Sequence, residues 1–275
     1  MDAQPQRDAA RLLPSIDDGL DGEALVHPDG AWPGRAAAPA RPLRIAEIFL
    51  VVAGCALLVF GPSWRAPGGS LRRSGTDGVE LFSGGPRPTC LCLFDVDRTL
   101  TAKQGQAQSC PGTAEVPGVE DTAFGGGTLV LSDLALNLGK TFCGACYRGI
   151  VTVGPVSGAY SKQREELLQA LGGPQWTFSD KWSWAAEVSS LLVTGASDEH
   201  KHETVRKIVD WLRAQGPQIQ DSEVYFFDDN SLNPPPFAGS GFNAHQVSCQ
   251  SREGIIGHCG ALATEVVGDH GVKSC

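Results

Sequence analysis

Leu91-Cys92-Leu93-Phe94-Asp95-Val96-Asp97-Arg98-Thr99-Leu100-Thr101 is a short apolar run that ends in two carboxylates and two hydroxyls. The apolar residues suit a buried strand that delivers its carboxylates at its C-terminal edge. Open α/β sheets hold their ligands at that edge. Asp95 and Asp97 alternate about one residue and so point the same way. Side by side they can hold a divalent metal, or act as nucleophile and proton donor.

Outward from this stretch the chain alternates strand and helix. A strand at 90–94 is followed by a polar, Gly-rich stretch at 102–127 and a helix at about 131–142. A second strand lies near 149–153, and a helix at 161–171 is started by Ser161 and stopped by Gly172-Gly173. A third strand ends at Thr194. The helix after it, 200–214, carries Val205, Ile208, Val209 and Leu212 at helical spacing. The fourth strand is Val224-Tyr225-Phe226-Phe227, ending at Asp228-Asp229, and a fifth is expected near 245–249. This alternation predicts a parallel sheet with helices on both faces. Trp176, Trp182 and Trp184 fall in a loop-like segment and are expected to pack over the domain edge.

The N-terminal third has a different character. Residues 1–42, rich in Ala, Pro, Gly and Asp, read as a disordered tail. The hydrophobic run within 43–64 comes close to the about 20 residues a bilayer needs, and is expected to be a single-pass membrane anchor. The alternative is a targeting segment whose cleavage releases the protein into the secretory pathway or an organelle. Arginines balance on its two sides, so the positive-inside rule gives no orientation. Residues 65–88 form a Gly/Pro/Ser/Arg-rich linker, and 89–275 the catalytic domain.

The formal net charge of −9 argues against nucleic acid as a partner, because phosphate binding needs a basic footprint. Of nine cysteines, Cys55 lies in the apolar run. Cys90 and Cys92, beside the first strand, read as buried thiols. Cys143-Gly144-Ala145-Cys146 leaves structural thiols, a disulfide or zinc, and the last lacks a second closely spaced ligand pair.

Two strands end in acidic pairs, Asp95/Asp97 and Asp228/Asp229. If the strands are neighbours, the carboxylates cannot all stay ionised without a cation. Mg²⁺ suits carboxylate, water and phosphate ligation. Asp95 would be the nucleophile, and Asp97 would protonate the leaving oxygen and later activate water.

These residues resemble the motifs of the haloacid dehalogenase (HAD) superfamily of phosphohydrolases. Phe94-Asp95-Val96-Asp97-Arg98-Thr99-Leu100-Thr101 is similar to its first motif, DxDxT. Thr152, Lys201 and the Asp228-Asp229 pair stand where its second, third and fourth motifs fall, in the same order and in the same strand–helix context. The resemblance covers about 89–260. It implies a Rossmann-like three-layer sandwich with a minimal cap, and Mg²⁺ held by Asp95, Asp97 and the acidic pair Asp228/Asp229, with Asp97 using its backbone carbonyl. It also implies hydrolysis of phosphomonoesters through an aspartyl-phosphate on Asp95. Thr152 and Lys201 would hold the phosphate oxygens.

Thr194 competes with Thr152, and Lys207 with Lys201. Arg98 replaces the glycine most common at its position. His200 and His202, two apart on a helix, face different sides and are expected at the surface. No large cap fits either insertion point, so an open site is expected, suited to a phosphorylated small molecule or a phosphoprotein. Two other readings remain. One is a phosphomutase, because the first motif also looks like the start of eukaryotic phosphomannomutases. The other is an inactive binding protein that kept the fold.

Overall fold

The computed structural model describes residues 87–275. The expected tail, the membrane anchor and the linker as far as residue 86 lie outside the described residues. Among the described residues no helix is long and apolar enough to cross a membrane.

Strand β1 (Leu91–Phe94) runs into a five-residue π-type turn, Val96–Leu100. Strands β2 (Ala114–Asp121) and β3 (Gly127–Leu131) follow as an antiparallel hairpin, then helix α1 (Asp133–Asn137) and strand β4 (Tyr147–Val151). Next come helices α2 (Lys162–Ala170) and α3 (Pro174–Thr177), strands β5 (Trp182–Trp184) and β6 (Leu192–Thr194), and helix α4 (Lys201–Ala214). The chain closes with β7 (Val224–Asp228), β8 (Asn243–Gln246), a small hairpin of β9 (Arg252–Glu253) and β10 (Ile256–Gly257), and β11 (Val272–Lys273).

Seven strands form one sheet in the order β11-β8-β7-β1-β4-β6-β5, and every pairing in it is parallel. Strand β1 alternates between two cores. Cys92 and Phe94 join Leu134 and Leu167, from α1 and α2, and Leu138 and Leu171, which follow those helices, on one face. Leu91 and Leu93 join Val205, Ile208, Val209 and Leu212 from α4 on the other. The period-2 strand thus meets 3.6-period helices above and below, which makes the three-layer, Rossmann-like α/β arrangement. From β1 the chain builds outward through β4 and β6. It then crosses back, so that β7 lies on the other side of β1. The strand order reverses between β1 and β7, where such sheets open a crevice at their C-terminal edge.

Three expectations need correction. The polar stretch at 102–127 holds strand β2, 127–131 forms strand β3, and the helix expected at about 131–142 is only the one-turn α1, followed by two short 3₁₀ turns. Thr128-Leu129-Val130-Leu131 is an apolar run too short for periodicity to separate strand from helix. The tryptophan segment contributes edge strand β5, with Trp182 and Trp184 paired to Leu192 and Thr194.

The third correction concerns the cysteines. The eight cysteines among the described residues are not thiols. Cys90 is bonded to Cys146, Cys92 to Cys143, Cys110 to Cys259 and Cys249 to Cys275. The CxxC therefore holds no zinc. Its two sulfurs staple a turn to the N-terminal side of β1. Cys92 and Cys143 are fully buried within the core, which is why burial alone suggested free thiols.

Candidate active site at the strand-order reversal

Register brings the acidic strand ends together. Phe94 is level with Phe227 on β7 and with Ile150 on β4. Asp95, whose N–H donates to the Phe227 carbonyl (2.9 Å), is then level with Asp228, and Thr152 follows at the end of β4. Carboxylate oxygens of Asp95, Asp228 and Asp229 lie within 4.8 Å of one another, and all three residues are buried.

Lys201, the first residue of α4, reaches this cluster from the next crossover. Its Nζ lies 2.8 Å from Asp95 Oδ1 and 2.7 Å from Asp228 Oδ2, and the residue is 2% exposed. Burial works against its charge, but Asp228 and Asp95 outweigh that and hold its proton well above the ordinary lysine range. Asp198, half exposed, stands 3.7 Å from the same ammonium. Asn233 braces the group, donating to Asp228 Oδ2 (2.8 Å) and Asp198 Oδ1 (3.0 Å) and accepting from the Glu199 N–H (2.8 Å). Asp229 accepts from the Gly257 N–H at 2.5 Å, and its own N–H donates to the Thr99 hydroxyl at 3.0 Å.

The charge does not balance. Burial, and then the neighbouring acids Asp228, Asp229 and Asp97, push Asp95 well above the ordinary carboxylate range, with Lys201 opposing. Burial and Asp228 raise Asp229 to about 7. A divalent cation among Asp95, Asp228 and Asp229 would relieve this repulsion, and an all-carboxylate donor set suits a hard ion. Bonds of about 2.1 Å to Mg²⁺ span oxygens up to roughly 4.2 Å apart, so small side-chain rotations would close the set. The residues therefore fit the ion.

Asp97 stands apart from the other three. Its carboxylate leaves that cluster, lies 3.5 Å from where a Cβ on Gly154 would sit, and borders a cleft of about 390 Å³. Burial, and then Asp121 at the end of β2, raise it to about 6. A carboxyl group titrating there is suited to giving up and retaking a proton. Asp95, Thr152 and Lys201 line the same cleft, and its outer wall is Ala123 and Phe124 from the β2–β3 tip with Ile255 and Ile256 from the β9–β10 hairpin. The competing residues are engaged elsewhere. Thr194 Oγ1 donates to the Ser183 carbonyl (3.4 Å) and Lys207 Nζ to the Ala185 carbonyl (3.2 Å). His200 is exposed and its ring lies 3.2 Å from Glu203.

Arg98 sits within the π-type turn with φ 65°. That left-handed backbone costs a non-glycine residue on the order of 1 kcal/mol. Sequence reasoning gave no sign of Asn233, Phe124 or Gly257, because loops far apart along the chain bring them in. No known protein family, curated protein or solved structure matches the chain.

Proposed function

We propose that the chain is a Mg²⁺-dependent phosphatase of the HAD kind, hydrolysing phosphomonoesters through a covalent phosphoryl group on Asp95. The observation that carries this reading is the meeting of Asp95, Asp228, Asp229 and Lys201 where the strand order reverses. In the first step an Asp95 oxygen bonds to phosphorus as the ester P–O bond breaks, and Asp97 gives its proton to the departing oxygen. In the second, Asp97 takes a proton from water, whose oxygen bonds to phosphorus and releases inorganic phosphate from Asp95. Lys201 and Thr152 donate to the phosphoryl oxygens, the lysine as a point charge. Asp95, Asp228 and Asp229 would hold a divalent cation, which when bound would further neutralise the phosphoryl charge. Asn233 and Thr99 keep Asp228 and Asp229 oriented.

The substrate is a phosphorylated small molecule or a phosphoprotein. The four disulfides favour an oxidising compartment for residues 89–275. With 43–64 as a membrane anchor, the catalytic unit would face the lumen or the cell exterior.

Full-chain protein supplied with p-nitrophenyl phosphate tests the reaction. Turnover should require Mg²⁺, stop on chelation, and fall at least about 10³-fold in Asp95→Asn. Undiminished turnover in that variant would overturn the assignment.

A further inference from the structure

Arg98, between Asp97 and Thr99 in the turn after β1, is a buried cation that the proposed reaction leaves unused. It is 3% exposed, yet its Nε and Nη1 have no hydrogen-bond partner. Lys201 holds the ion pairs of the acidic cluster, and Glu253 is paired to Lys103 and His258. Four carboxylates act on the guanidinium from the surrounding elements: Glu253 on β9, Asp229 after β7, Asp121 at the end of β2, and Asp97 in its own turn. The backbone at Arg98 is left-handed, a conformation glycine would adopt without strain.

An aromatic ring lies against the side chain. The ring of Phe124 lies over the guanidinium, with its centroid 4.7 Å from Cζ, and the same ring forms part of the cleft wall. Phe124 is 61% exposed and is itself left-handed, with φ 50°, at the tip of the β2–β3 hairpin. None of these four carboxylates lies within ion-pair distance of the guanidinium, which leaves a strained, buried cation with unused N–H donors beside an exposed ring at the edge of a cleft. A buried unpaired donor of this kind calls for a partner, and an arriving anion provides one.

We propose that Arg98 binds a second anionic group, carboxylate or phosphoryl, on the phosphomonoester that reacts at Asp95, and that Phe124 covers the guanidinium until substrate displaces it. The proposal rests on the phosphatase reading and narrows its substrate class to doubly anionic phosphomonoesters. The opposing view makes Arg98 only a counter-ion to the surrounding carboxylates, in which case it would not discriminate between substrates.

The test compares two matched pairs on the full-chain protein with Mg²⁺: glycerol 3-phosphate against 3-phosphoglycerate, and glucose 6-phosphate against glucose 1,6-bisphosphate. The first pair isolates an added carboxylate and the second an added phosphoryl group. The expected kcat/KM ratio favours the doubly anionic member about tenfold or more in at least one pair, and Arg98→Gly brings that ratio close to one. Glycine suits the left-handed turn, so this variant should fold. Phe124→Ala, at an exposed position, should keep the preference and lower KM for the preferred compound about two- to fivefold. A ratio near one in the native protein, or a ratio that survives Arg98→Gly, would overturn the subsite. An unchanged KM in Phe124→Ala would overturn the covering role. If none of the four compounds is turned over, the phosphatase reading fails, and calorimetric Kd values for the same compounds decide Arg98. A preference abolished by Arg98→Gly then supports the subsite, and equal affinities overturn it.

Discussion

At the N-terminal side of β1, Cys90 and Cys92 are tied to Cys146 and Cys143 by neutral covalent bonds inside the core. At the other end of the same strand, Asp95 meets Asp228 and Asp229 with a single ammonium between them. One end is held whatever the pH or the ligand. The other is in electrostatic tension, and burial and neighbouring acids hold Asp95 and Asp229 above the ordinary carboxylate range. Sites that work with displaced pKa values tend to cost stability, which the rest of the fold must supply. Here a staple and a functional edge share one four-residue strand.

The strongest way to break this contrast is to remove charge from the acidic end. Asp95→Asn should abolish phosphatase turnover while near-UV circular dichroism shows the fold intact. The reverse experiment acts on the stapled end. Replacing Cys90, Cys92, Cys143 and Cys146 together with alanine should lower unfolding free energy by about 4 kcal/mol in chemical denaturation. Removing one pair alone should cost less than half of that. The Cys92–Cys143 loop is nested within the Cys90–Cys146 loop, so either bond closes most of the same chain. Single costs that add up to the cost of removing both pairs would show that the staples act locally and independently rather than on the unfolded chain.

A smaller effect follows from pH. Asp97 and Asp229 titrate at about 6 and about 7 in the folded protein, against roughly 3.9 in an unfolded chain. The folded state therefore binds their protons more tightly. The resulting stability is present below about pH 4 and is lost as pH rises towards 7. In chelator, thermal unfolding should occur several degrees lower at pH 8 than at pH 5, and saturating Mg²⁺ should restore about 2 kcal/mol at pH 8. A Mg²⁺ effect no larger at pH 8 than at pH 5 would contradict carboxylate repulsion as its source.

The smallest effect belongs to a surface group. Burial would raise Asp221, but hydrogen bonds from Arg213 and Arg206 outweigh that and hold it below its ordinary value. Its contribution is present above the unfolded pKa and lost as pH falls through the folded one. The group is 39% exposed, so Asp221→Asn should cost only about 0.5 kcal/mol by denaturant titration.

The sheet strands nearest the site were legible because each is an apolar run ending in a polar residue, bounded by helices with clear periods and stops. Ser161, for example, caps α2 through a 3.2 Å bond from the Arg164 N–H. Asp95, Asp228, Thr152 and Lys201 were legible for the same reason, since strand ends and helix starts meet at one sheet edge. The β2–β3 hairpin was not, because Pro117 and Gly118 interrupt β2 and disguise it as loop. The edge strand β5 was hidden by its length of three residues. The disulfides escaped because pairing depends on topology: Cys110 and Cys259 are 149 residues apart. Asn233 and Phe124 carry no local signal, and only the closed fold brings them to the site.

In the proposed reaction every phosphoryl transfer passes through Asp95. The most direct measurement is to quench full-chain protein in acid during turnover of p-nitrophenyl phosphate with Mg²⁺, reduce it with borohydride, and map peptides by mass spectrometry. Homoserine should appear in place of Asp95, and none when substrate or Mg²⁺ is omitted. Steady turnover with Asp95 unmodified, or with the label on another carboxylate, would contradict it.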